Sequence, residues 1–186
     1  MSEKRITELL DSSYSQFGAF SAIDIAEQKV FDSAVFSVAK RHTLALSSTN
    51  DIVIDPTLCE CDYLVFQPVA FKAFGAGPVN IDMYFGTDAD EDGTVWGSIN
   101  RDNTSSNTSP VLVRLNPTIN DAGTLLPVNF TIFSNGTAAV AVAGGETREG
   151  LIFNARTDGK YMFRVINTEA NPAFFHVSMT WYEVNV

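Results

Sequence analysis

Apolar and polar residues alternate with a period of two along most of this chain. The clearest case is Val79 to Phe85. Val79, Ile81, Met83 and Phe85 fall on one face, and Asn80, Asp82 and Tyr84 on the other, which predicts a half-buried strand. Ala34 to Leu46 alternates around Val35, Phe36, Val38, Leu44 and Leu46. Asp51 to Ile54 is short and β-branched, and Asp55-Pro56 ends it. Tyr63 to Phe74 is aromatic and aliphatic. Pro68 cannot donate to a ladder, so it marks an edge or a bulge. Further strands are predicted around Phe20 to Phe31 and over Val111–Leu115, Leu125–Phe133, Leu151–Phe153, Lys160–Asn167 and Phe174–Val184. Turn signals punctuate them at Gly75-Ala76-Gly77-Pro78, Asn120-Asp121-Ala122-Gly123, Ser134-Asn135-Gly136, Gly144-Gly145 and Asp158-Gly159. Helical spacing occurs only where Ile6, Leu9 and Leu10 sit at i, i+3 and i+4. Roughly nine or ten short strands with regular turn signals predict an all-β fold. The expected architecture is a jelly-roll-like antiparallel β-sandwich over residues 19–186, preceded by a short N-terminal arm or helix over residues 1–18.

Composition narrows the partners. Over 186 residues the formal net charge is −10 and the longest basic cluster is Lys40-Arg41-His42. Phosphate backbones need clustered cations, so no nucleic-acid partner is expected. No apolar run approaches the roughly 20 residues that a membrane helix needs, and the N-terminus has no apolar signal core. No membrane partner is expected, and synthesis in a host cytoplasm is. Cys59 and Cys61 would stand about 6–7 Å apart on one face of a strand, too far for an easy bridge. They are expected as two small buried thiols in a reducing compartment.

Candidate chemistry is sparse. Asp88, Asp90 and Asp92 precede Gly93 at the spacing of the first half of a calcium-binding loop, in which alternate carboxylates turn onto one cation. The twelfth position is Ile99 and not a bidentate Glu, so the second half fails, and a solvated hairpin tip is the competing reading. No other cofactor is expected. His42 and His176 lie in strand patterns with no nucleophile motif around them. No acid–base pair or phosphate-cradling loop is visible, so no catalytic residue is assigned and an enzyme is not expected. The densest polar stretch is Trp96 to Leu126. In it Asn100, Arg101, Asn103 and Asn107 are interspersed with Ser and Thr, and Arg114 follows in the next strand. Asx and Ser side chains bond nearby backbone and fix irregular loops, while an exposed guanidinium grips carboxylates. These five residues are the candidate interaction surface.

Several short motifs recur here in an order that resembles a family of small tailed-bacteriophage virion proteins. They include Ile23-Asp24, the block INRDNTSSNTS around Arg101, Pro117-Thr118-Ile119 with Gly123-Thr124-Leu125-Leu126, Arg164-Val165-Ile166-Asn167, and the terminal Trp181-Tyr182-Glu183. The family loop reads N-R-N-R-N-S-S; this chain has one Arg where that pattern has two. The resemblance covers about Ala22 to Val184. It implies a non-enzymatic particle component of the capsid-decoration or cement kind, on the capsid exterior. The implied partners are the major capsid protein or other virion proteins, and further copies of the chain, with a homo-trimer suiting a jelly roll at a symmetry axis. The alternative is a receptor- or glycan-binding component of a fibre or tail.

Overall fold

The computed structural model describes residues 34–74, 79–132, 153–169 and 172–184. Thirteen strands run through them: β1 (Val35–Leu44), β2 (Thr49–Asp55), β3 (Tyr63–Phe74), β4 (Val79–Phe85), β5 (Asp88–Ala89), β6 (Thr94–Trp96), β7 (Ile99–Asn100), β8 (Leu112–Leu115), β9 (Ile119–Asp121), β10 (Thr124–Ile132), β11 (Phe153–Arg156), β12 (Tyr161–Asn167) and β13 (Ala173–Val184). One sheet has the order β11-β3-β13-β1-β7 and the other β10-β4-β12-β2-β8-β6; β5 and β9 form a separate pair.

These orders follow from one operation on a long hairpin. Strands from the two halves of the chain pair antiparallel: β1 with β13, β2 with β12, β3 with β11 and β4 with β10. Rolling that ribbon adds β3–β13 and β4–β12. The outcome is an antiparallel β-sandwich with jelly-roll connectivity, as the alternation predicts. The expected arm over residues 1–18 lies outside the described residues. So do the strand near Phe20–Phe31, part of that near Leu151–Phe153, and the turns at 75–78, 134–136 and 144–145.

The inward positions of both sheets make one apolar cluster. Phe36 and Val38 of β1, Phe66 of β3 and Trp181 of β13 meet Ile52 and Ile54 of β2, Ile81 of β4 and Phe163 of β12. Phe66 bridges the layers, with ring centroids 6.4 Å from Phe163 and 6.1 Å from Trp181. Val79, Ile81 and Met83 are all buried, as their spacing requires. The β3–β13 ladder shifts register between Ser178 and Met179, opposite Ala70 and Pro68. Pro68 therefore sits at a bulge, because its missing N–H cannot serve a regular ladder.

Two expectations need correction. Cys59 and Cys61 are joined in a disulfide, with Cα atoms 5.2 Å apart. The reason is local: the pair lies in the connection between β2 and β3, where the backbone bends, and the separation falls within the disulfide range. The acidic stretch at 88–93 is also not the tip of a hairpin. Its flanking strands pair elsewhere, β5 with β9 and β6 with β8.

Candidate functional site

Residues between β4 and β10 form a long insertion that builds onto both layers. β8 pairs with β2 and β6 pairs with β8, which widens one sheet. Two residues further on, β7 pairs with β1 and widens the other. The remaining pair, β5 and β9, lies over the outer face of the six-stranded sheet. There Val53, Met162 and Ala89 form a second apolar cluster with Tyr84, Ile119 and Ala122 packed against it.

Polar bonds hold this flap. Thr87 donates its hydroxyl to the Ala122 carbonyl at 2.9 Å, and Lys160 Nζ donates to the Ala89 carbonyl at 2.8 Å. Beneath it Arg164 grips Asp51 with two parallel bonds, Nε to Oδ1 at 2.8 Å and Nη2 to Oδ2 at 2.9 Å. That bonding holds the Arg164 pKa above its ordinary value. Asn116 turns the chain after β8 with a positive φ of 49°. Its amide donates Nδ2 to Asn50 Oδ1 at 2.7 Å, and its Oδ1 accepts the Asp51 N–H at 2.9 Å. Asn is among the L-residues that enter this region most readily, and here its side chain is held by β2 across the sheet.

The candidate calcium ligands are placed as follows. Asp90 Oδ1 accepts from Asn120 Nδ2 at 2.9 Å. Asp92 accepts the Thr118 N–H at 2.6 Å and the Thr118 hydroxyl at 2.7 Å. These bonds hold the Asp92 pKa below its ordinary value. Asp88 lies in β5, opposite Asp121. Among the described residues no three His, Cys, Asp or Glu side chains gather as a metal-binding group. The two carboxylates instead pin the acidic stretch to residues 118–120.

The Arg101 loop joins β7 to β8 and satisfies itself. Asn100 Oδ1 accepts the Asp102 N–H at 2.9 Å, and Asn100 Nδ2 donates to the Asn107 carbonyl at 3.3 Å. Asp102 Oδ1 accepts both the N–H and the hydroxyl of Thr104, and Ser105 Oγ accepts the Asn107 N–H. The Arg101 N–H donates to the Val35 carbonyl at 2.9 Å, continuing the β1–β7 pairing by one residue. Side chains of Arg101, Asn103 and Asn107 are exposed, and Asn100 is half-buried. Arg114 is not part of this loop surface. It sits on the outer face of β8 and donates Nη1 to the Glu91 carbonyl at 2.8 Å.

The anchor of the loop is a residue that the sequence pattern passes over. Ser109 Oγ accepts from Trp181 Nε1 at 3.1 Å and donates to Glu183 Oε1 at 3.0 Å. It also accepts the Val111 N–H at 3.1 Å. The Trp181 ring is fully buried between Phe36 and Phe66. Glu183 is half-buried, and desolvation pushes its pKa up against the smaller opposing effect of the Ser109 bond. The polar block before β8 and the Trp181-Tyr182-Glu183 terminus are thus one unit in space. Both stretches stand out in the sequence, but nothing in one chain alone couples residue 109 to 181.

Both histidines lie in the five-stranded sheet. The His42 ring packs edge-on against Phe175 at 5.7 Å, and burial lowers its pKa. His176 is on the opposite face, Cα partner of Arg41. No buried side-chain nitrogen or oxygen among the described residues lacks a hydrogen-bond partner. The loop cluster is built to be rigid and to present its exposed tips. No known family model matches the chain, and no curated protein matches it.

Proposed function

We propose that the chain is a structural component of a tailed-bacteriophage particle, a capsid-decoration or cement protein and not an enzyme. It binds the outer capsid surface and further copies of itself, as a trimer, and strengthens the shell by binding only the assembled state. The observation that carries this reading is the Ser109 anchor. It ties the Arg101 block to Trp181 and Glu183, so the two most distinctive motifs of the resemblance meet at one place. A rigid polar loop with exposed Arg101, Asn103 and Asn107 suits a standing protein contact, because little side-chain or backbone ordering remains to oppose binding. The Cys59–Cys61 bridge suits a particle exposed to oxidising surroundings after release.

The test is occupancy on purified particles, imaged at subunit resolution. The full chain should decorate the capsid exterior. Deletion of residues 1–18, the expected tether, should abolish decoration while the sandwich still folds. Full occupancy by the truncated chain would remove the tether. Density at a tail or fibre, together with retention on a glycan array, would replace the capsid reading with the receptor-binding one.

A further inference from the structure

The fold itself sets the two cysteines side by side. Cys59 and Cys61 lie in the connection between β2 and β3, only 9% and 7% exposed, while Leu58, Glu60 and Asp62 beside them are exposed. This alternation turns both cysteines to one side of the chain, toward the core cluster. Hydrogen bonds outside the bridge fix the backbone around it. The Cys59 N–H donates to the Pro56 carbonyl at 2.8 Å, and the Asp62 N–H to the Val184 carbonyl at 3.0 Å. The Thr157 hydroxyl donates to the Cys61 carbonyl at 3.3 Å. The loop that the bridge closes encloses a single residue, Glu60. A bridge restrains the unfolded chain more the longer its loop, so this one adds little as a staple. It does lead straight to the candidate interaction surface. Asp62 runs into β3, whose first residues Tyr63 and Leu64 pair with Val184 and Glu183 of β13. Glu183 in turn accepts from Ser109, the anchor of the Arg101 loop.

We infer that Cys59 and Cys61 form a reversible redox latch on the Arg101 loop, open as a dithiol in reducing surroundings and closed as a disulfide in oxidising ones. Closing needs an oxidant of the disulfide class, such as oxidised glutathione. One cysteine thiolate attacks a glutathione sulfur and releases the first glutathione thiolate. The other cysteine thiolate then attacks the mixed disulfide, forms the Cys59–Cys61 bond and releases the second. Two protein thiols lose two protons and two electrons, and one glutathione disulfide becomes two thiols. Reduction runs the same steps backward. The dithiol form keeps the sandwich, because the hydrogen bonds around the pair and the β3 ladders involve no sulfur. What changes is the stiffness of the connection that enters β3. With the bridge closed, the start of β3 holds the end of β13 firmly, and Ser109 stays seated on Trp181 and Glu183. With it open, that end frays more often and the loop loses its anchor for part of the time. This inference rests on the particle-component reading for the change of surroundings, from host cytoplasm to the outside, but its chemistry is measured on purified protein alone.

The experiment equilibrates the purified full-length chain in glutathione buffers, from wholly reduced to wholly oxidised. Each sample is quenched with an alkylating reagent and weighed by mass spectrometry, so that an open pair takes two labels and a closed pair none. The labelled fraction should rise smoothly with the proportion of reduced glutathione and fall again on reoxidation, with the circular dichroism spectrum unchanged. Hydrogen exchange then reads the loop. The Val111 amide, which donates to Ser109 Oγ, should exchange several-fold faster in the dithiol form than in the disulfide form. Cys59→Ala with Cys61→Ala should exchange at the faster rate in every buffer. Should that variant not fold, wild type held in reduced glutathione makes the same comparison without a substitution. A pair that reduced glutathione opens only by unfolding the sandwich is a staple and overturns the latch. A pair that it never opens, or an equal Val111 rate in the two forms, overturns it as well. Two forms that differ in exchange while neither decorates a capsid would remove the particle reading and leave the latch standing.

Discussion

Single residues decide how the polar insertion is held. Ser109 accepts the Trp181 indole N–H and also serves Glu183. Ser109→Ala leaves a fully buried N–H without a partner, which costs about 1–3 kcal/mol. The melting temperature should fall by several degrees, at roughly 2–4 °C for each kcal/mol in a chain of this size. Glu183 gives a pH dependence of definite sign. Its carboxyl holds a proton more tightly in the folded state, so the folded chain binds more protons between the ordinary pKa and the raised one. This contribution is full below the ordinary value and is lost as pH rises through the raised one. Glu183→Gln keeps an acceptor for Ser109 and removes the titration. Urea midpoints should then lie above wild type at neutral pH and approach it toward about pH 4. A variant midpoint that declines with pH as steeply as wild type would show that the slope comes from another group.

At the scale of elements, the insertion depends on backbone positions more than on apolar surface. Gly123 takes a φ of +80° immediately before β10, and a Cβ there would lie 2.4 Å from the Phe85 carbonyl oxygen. Gly93 has a φ of +82°, with the Leu115 carbonyl oxygen 2.7 Å from the same added atom. Left-handed backbone costs an L-residue about 1–2 kcal/mol before any clash. Gly123→Ala should therefore destabilise by more than about 2 kcal/mol in urea titration, with the flap loosened over Val53 and Met162. An unchanged midpoint would mean that the strand end can shift freely.

Element prediction from the pattern was strongest where one face is buried. Tyr63–Phe74 and Val79–Phe85 have the bounds that alternation predicts. It was weakest at 88–100, where the strands are two or three residues long and owe their existence to a neighbour's edge. Such pieces have no period to read.

On the scale of the whole molecule, two layers share one core. Phe163 is fully buried and stacks on Phe66 of the facing sheet. Phe163→Ala should cost about 3–5 kcal/mol. Because the ring belongs to both layers, far-UV circular dichroism and tryptophan fluorescence should move to lower denaturant together, as one transition. Separate transitions would indicate sheets that unfold independently. Charge is a property of the same scale. The net value of −10 conceals a five-stranded sheet whose strands hold a single carboxylate. A sum over the chain carries no information about which strands become neighbours.

Alternation determined that the described residues are β-strands in antiparallel sheets, and which side chains of β4 face inward, because a strand's side-chain period is a local property. It also marked the Arg101 loop as polar and self-bonding, since Asx and Ser bonds span only a few residues. Tertiary structure decided the rest. It brought Cys59 close enough to Cys61 through a bend between strands, committed Asp90 and Asp92 to Asn120 and Thr118, and set Ser109 beneath Trp181. The last of these contacts crosses 72 residues of chain. Such a pairing comes from rolling two sheets onto one core, and no spacing along the sequence encodes it.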